Sequence, residues 1–308
     1  MVVSLRCGPP WPRVFFSETG PAAKEAASEA IRKDMETYTL SCEETTVMLI
    51  FFLVALAASV AGAICGIGGG VIIKPVLDLL HLETVTAISF LSGCTVLSMS
   101  CYSVGKSLLA KEHSVSLHVG TPLALGAAAG GLAGNQLFAA MRELSGSPDA
   151  VGAVQAACLA MVTAGTLLYT VNKSRISTHH IQNFAACVVI GLVLGAMSSF
   201  LGIGGGPINL VVLYYFFSMD TKTAAANSLY IILFSQICNL LATLCTGAVP
   251  PFRWPVLALM AAGGIGGGII GRKLNRQMAN QSVERLFIGL MGVIICISLF
   301  NTWRYAGW

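Results

Sequence analysis

Of the chain's 308 residues, 55% are hydrophobic and only 10% charged, where soluble domains carry about 25% charged residues, so an all-α polytopic membrane protein is expected. The formal net charge of +4 comes from a few groups in short connections, and no basic patch is interleaved with aromatics, which argues against nucleic-acid binding. Most of the ten cysteines lie inside apolar runs without a C-x-x-C pair, and the histidines show no metal-ligand spacing, so neither a disulfide framework nor a metal or other cofactor is expected.

Residues 1–46 form a polar tail with Pro9, Pro10, Pro12 and Pro21, followed by an Ala-Glu-Lys-rich stretch from Ala22 to Glu36 suited to a short polar helix. The tail lacks the charged, apolar, small-residue order of a cleavable signal and is expected to be flexible or peripheral, with Met35 and Met48 as alternative starts. A membrane domain, 47–308, follows. It carries eight apolar stretches long enough to cross a bilayer, for which about 20 residues suffice. These are Val47 to Leu80, Thr84 to Gly105, Val115 to Met141, Val151 to Val171, Phe184 to Phe217, Thr223 to Gly247, Trp254 to Leu274 and Val283 to Trp303.

Two of the stretches are interrupted by glycine clusters. GIGGGVIIKP, Gly66 to Pro75, lies inside the first, and GIGGGP, Gly202 to Pro207, lies inside the fifth. Glycine weakens a helix by about 1 kcal/mol relative to alanine, and irregular backbone at membrane depth persists only against protein or a watery cavity. Each cluster is therefore read as a helix break, the alternative being close helix packing on small residues. The third stretches also match: Pro122, Gly130, Gly131 and Gly134 align with Pro255, Gly263, Gly264 and Gly267, and Ala87-Ile88-Ser89-Phe90 aligns with Ala226-Asn227-Ser228-Leu229. Two repeats of four elements follow, 47–171 and 184–303.

Lys and Arg positions bear on how the repeats are oriented. If each broken stretch returns to its own side as a hairpin, Lys106, Lys111, Lys173, Arg175, Lys222, Arg272, Lys273, Arg276 and Arg285 share one face and Arg142, Arg253 and Arg304 the other. The positive-inside rule favours that arrangement over single crossings, which divide the charges evenly. Hairpins leave three crossings per repeat, an odd number, so the repeats are inverted and both termini lie outside. A tilted single crossing is the remaining alternative.

A helix restarted after G-x-G-G-G presents free N–H groups and the positive end of its dipole, a setting that attracts anions. The candidate substrate-binding residues are accordingly Gly66, Gly68, Gly69, Gly70, Gly202, Gly204, Gly205 and Gly206, with Lys74, Ser89, Asn209, Asn227 and Ser228 beside them. Lys74 reads alternatively as an interfacial snorkelling lysine, and Ser89, Asn227 and Ser228 as interhelical hydrogen-bonding groups. Gln236 and Asn239 are read as helix glue. Asp78, Glu83 and Asp220 offer a carboxylate for proton coupling or serve as helix caps. G-x-G-x-x-G fails because Val71 and Pro207 stand where glycine is needed, no G-K-[ST] follows either break, and no hydrolase set lies inside the spans. Nucleotide binding and enzyme activity are not expected.

The paired G-x-G-G-G motifs, the A-x-S-[FL] segments at Ala87 to Phe90 and Ala226 to Leu229, and the doubled P-x-x-x-A-A-x-G-G blocks resemble the sulfite exporter TauE/SafE family over roughly Val47 to Trp303. The resemblance implies transport of small sulfur-containing or carboxylated anions (sulfite, sulfonate, sulfoacetate or thiosulfate types) across the cell membrane, driven by an ion gradient, with proton or sodium as coupling ion. The long tail and Cys65 and Cys94 near the first motif depart from the family's commoner pattern. The leading expectation is a secondary transporter working by alternating access, with a homo-oligomer possible. The rival reading is a passive anion channel or a non-transporting membrane scaffold.

Overall fold

The computed structural model describes residues 44–80, 82–110, 116–145, 148–203 and 205–305. The chain divides into a first unit, Met1–Thr46, and a second, Val47–Trp308. The expected polar tail falls almost wholly outside the described residues.

Among the described residues there are ten α-helices and no strand: α1 (Glu44–Cys65), α2 (Gly70–Leu80), α3 (Val85–Leu109), α4 (Leu117–Ser145), α5 (Pro148–Asn172), α6 (Phe184–Phe200), α7 (Pro207–Phe217), α8 (Thr221–Cys245), α9 (Trp254–Gln277) and α10 (Asn280–Tyr305). Seven are long and apolar enough to cross a membrane, α6 and α7 are shorter apolar helices, and α2 is an eleven-residue helix that carries Lys74 and Asp78. Each expected stretch is helical, and the two glycine-containing stretches are each split in two. Between 28% and 44% of each candidate span is buried within the protein. Apolar side chains such as Met161, Leu168 and Val189 point outward, each more than 60% exposed, which water disfavours and a bilayer accepts.

Local chemistry fixes the helix ends. The Asn183 side chain accepts from the Ala185 N–H at 2.9 Å, and Asp220 Oδ2 accepts from the Lys222 N–H at 3.3 Å, capping α6 and α8. Pro207 and Pro255 sit in the first turns of α7 and α9, where a missing N–H costs nothing. At the breaks, Gly66 (φ 77°) and Gly202 (φ 65°) take left-handed backbone that a side chain resists, stopping α1 and α6.

Small residues set the helix directions. Gly263 packs on Phe52 and Leu56, Gly267 on Ser59, and Gly271 on Val60 and Ala63. Asn275 Nδ2 donates to the Ile64 carbonyl at 2.6 Å, so α9 runs parallel to α1. Gly264 against Thr95, Gly268 against Met99 and Arg272 donating to the Ser103 carbonyl make α9 parallel to α3 as well. Because α1 and α3 share a direction, α2 must bring the chain back: Gly69 lies against Ala58 and Ser59, and Ile73 and Leu77 share a core with Phe51, Ala55 and Ala58. The first broken stretch is thus a helical hairpin. On α4, Gly126, Gly130 and Gly134 pack on Val188, Leu192 and Ala196, giving α4 and α6 one direction. In contrast α3 and α8 are antiparallel, with Gly93 near Gln236 and Ser103 and Ser107 near Lys222 and Ala226.

Candidate functional site

The two breaks meet in the interior. A Cβ at Gly70 would collide with the Ile203 carbonyl oxygen, and one at Gly205 with the Ile232 side chain, which also lies 3.4 Å from a Cβ at Gly68. Val96 and Ile232 fall near the middles of α3 and α8, so the meeting point is at mid-depth. Buried hydroxyls gather around it. Ser59 Oγ lies 3.2 Å from a Cβ at Gly69, Ser92 Oγ 3.1 Å from one at Gly70 and Ser89 Oγ 3.1 Å from one at Gly202. None of the three has a hydrogen-bond partner in the protein, nor does Asn209 Oδ1. Buried polar atoms are nearly always satisfied, so a cluster of orphans points to a polar ligand or water.

The side chains picked out from the sequence divide between this centre and the packing around it. Lys74 is 4% exposed. Its Nζ donates to Gln155 Oε1 at 2.7 Å and to the Leu201 carbonyl at 3.0 Å, and lies 2.7 Å from a Cβ at Gly202. It is therefore buried against the second break, and the snorkelling alternative is excluded. Gln155 completes the link by donating to the Phe200 carbonyl at 2.7 Å. Gly206 caps α7 in extended conformation, and Gly204 lies outside the described residues. Asn227 is occupied elsewhere, accepting from the Ser116 N–H at 3.0 Å and donating to the Thr223 carbonyl at 2.8 Å. Ser228 is fully buried with an unpartnered Oγ. Asn239 donates to Ser199 Oγ at 2.6 Å, a bond between helices.

The other two acids are tied at helix ends. Glu83 pairs with Arg253 at 3.4 Å. Burial alone would raise the Asp220 carboxyl, but hydrogen bonds from Thr223, Lys222 and Asn280 hold it below the usual carboxylate range. It is a charged cap in the neutral range, not a carboxylate that titrates there.

A partly open cavity of about 260 Å³ lies between the ends of α3, α8 and α9, lined by Ala63, Ser103, Val104, Ser107, Lys222, Ala225, Ala226, Leu229, Arg272, Asn275 and Arg276. Three of these carry positive charge and none negative, so its walls favour anions. Its floor is the first break, because a Cβ at Gly66 would overlap Ala225. Sequence reasoning did not single out Lys222, Arg272 or Arg276 as site residues, although it collected all three on one face when counting charges.

The sulfite exporter TauE/SafE family model matches residues 51–299. The chain is also similar to the "Probable membrane transporter protein YunE" of Bacillus subtilis (strain 168), 22% identical over 277 residues that cover 82% of this chain and 97% of the relative. No solved structure matches it. With seven membrane-capable helices the chain is a multi-pass integral membrane protein. It belongs to the sulfite exporter TauE/SafE family of membrane transporters.

Proposed function

We propose that the protein is a secondary transporter of small anions, of the sulfite, sulfonate or thiosulfate type, that carries its substrate by alternating access between two inverted repeats. The observation that carries this reading is the cation-lined cavity whose floor is the Gly66 break. An anion drawn in by Lys222, Arg272 and Arg276 would move past that floor toward the orphaned hydroxyls of Ser59 and Ser92 and, farther along α3, Ser89.

Helix directions support the inverted repeats. In the first repeat, α4 packs parallel to α6 and α8 of the second; in the second, α9 packs parallel to α1 and α3 of the first, through equivalent glycines. The α3 and α8 helices, equivalent in the two repeats, run in opposite senses. Such exchange between halves lets one unit rock on the other about a central site. The cavity opens on the face richer in Lys and Arg, the cytoplasmic one by the positive-inside rule. The Gly66–Ala225 contact closes the cavity from the centre and has to part during the cycle.

The test is flux into proteoliposomes over a panel of sulfite, thiosulfate, alkylsulfonates and small carboxylates. Saturable uptake of at least one anion, abolished by Gly70→Leu in well-folded protein, is expected. A large unsaturable ionic current would make the protein a channel. No flux of any anion would make it a scaffold.

A further inference from the structure

We propose that Asp78 and Lys74 form a proton-coupling site, in which a proton on Asp78 frees the Lys74 charge to hold the anion at the second break, so that proton and anion travel together. This rests on the anion-transport reading and supplies the coupling ion that reading leaves open.

Both residues lie on α2 one helical turn apart, 4% and 8% exposed. They share a small, partly open pocket of about 10 Å³ with Gln155, Leu201, Ser298 and Asn301, about the room one water needs. Asp78 Oδ1 and Ser298 Oγ are buried there without hydrogen-bond partners. Ionisable side chains buried this fully in a membrane protein are costly and are kept for function.

Lys74 has three N–H donors. Two are used on Gln155 Oε1 and the Leu201 carbonyl, which leaves a third beside Gly202 and Ser89 Oγ. With Asp78 ionised, the Lys74 charge is balanced within α2 and the anion gains little. With Asp78 protonated, Lys74 is an uncompensated cation against the second break, and an anion supplies the missing charge. Reciprocity then requires that anion binding draw a proton onto Asp78. The step is a proton association and breaks no other bond.

Few other charges face the pair. From α5 comes Gln155, from α10 Ser298 and Asn301, and from the end of α6 the carbonyls of Phe200 and Leu201. On α1, Phe51, Ala55 and Ala58 are apolar. Arg304 lies farther along, donating to the Leu79 carbonyl, and Glu83 at the start of α3 pairs with Arg253. At the equivalent places in the second repeat stand Leu210 and Tyr214. The device therefore exists once, and one proton per cycle follows.

The probes are thiosulfate and ethanesulfonate, whose own charge is constant from acid to neutral pH. For wild-type protein, affinity should tighten as pH falls, toward about tenfold per pH unit, and adding anion to weakly buffered protein should take up about one proton per anion. Asp78→Asn should bind both probes independently of pH, keep counterflow and lose proton-driven accumulation. Lys74→Gln should bind weakly at every pH. If wild-type counterflow of both probes is absent, the anion reading itself fails. If counterflow is present but no proton is taken up, or a sodium gradient drives it instead, or Asp78→Asn still accumulates anion with the proton gradient, the coupling proposal alone is overturned. Proton uptake is read on wild-type protein, so it decides the question even where a variant fails to fold.

Discussion

Gly66→Ala separates the two demands made on the first break. Gly66 and Gly68 have nearly the same left-handed backbone, φ 77° and 74°, so alanine at either position carries a similar strain of about 1–2 kcal/mol. Their surroundings differ. At Gly68 the nearest atoms to a new Cβ are the ends of Ile232 and Val96 at 3.4 and 3.5 Å, ordinary contact. At Gly66 the Cβ would overlap Ala225 Cα and lie 2.5 Å from its Cβ and 2.7 Å from its carbonyl oxygen. Backbone cannot move aside as a side-chain tip can, so overpacking adds about 1–3 kcal/mol. Gly66→Ala should therefore be destabilised by about 2–5 kcal/mol in all, against about 1–2 for Gly68→Ala. The difference amounts to a factor of about 5 to 150 in the population of the state with the break closed on α8. Unfolding of the purified protein in detergent measures the stability, and labelling of Ser92→Cys, beyond the contact, in a background without the native cysteines measures the opening. Ala225→Gly should rescue only in part, because the overlapping Cα remains. Equal losses for the two variants, or full rescue by Ala225→Gly, would refute the reasoning.

Lys222→Gln with Arg276→Gln should raise the anion KM several-fold with little change in kcat, and the effect should shrink at high salt as screening sets in, which uptake at two ionic strengths reads directly. Gly130→Ala should lower stability by about 1–3 kcal/mol, because its Cβ would strike the Leu192 backbone, whereas Gly289→Ala, with nothing within 4 Å, should gain up to about 1 kcal/mol; unfolding curves compare them. Asp220→Ala should cost about 1 kcal/mol of stability through the lost α8 cap and leave proton-driven uptake intact, as expected of a carboxylate that stays ionised. Retained gradient coupling is the part of that result that separates it from Asp78→Asn.

The parts of this molecule that were legible in the sequence are those written into contiguous residues. Apolar length marked every helical stretch, and GIGGG coincides with both breaks, although the same five residues recur at Gly264 to Gly268 inside the unbroken α9, where the glycines serve close packing instead. The doubled Gly130-Gly131 and Gly263-Gly264 blocks were visible as repeats, though not that each packs on the other half of the chain. Two features escaped. The three cations of the cavity, Lys222, Arg272 and Arg276, come from two helices about 50 residues apart in sequence and meet only when the helix ends are brought together. Gln155 looks like one more polar residue in an apolar span until Lys74 and the end of α6 are placed on either side of it. For Asn227 the sequence left ligand and interhelical hydrogen bonding open, and its side chain bonds the Ser116 N–H and the Thr223 carbonyl.

Uptake of labelled thiosulfate and ethanesulfonate into proteoliposomes, wild type beside Lys222→Gln/Arg276→Gln, bears most directly on the assignment of an anion transporter entered through the basic cavity. Saturable uptake by the wild type, with a raised KM in the charge-neutralised protein, is the predicted result. Saturable uptake that is indifferent to those charges, or no uptake of any anion in the wider panel, would contradict it.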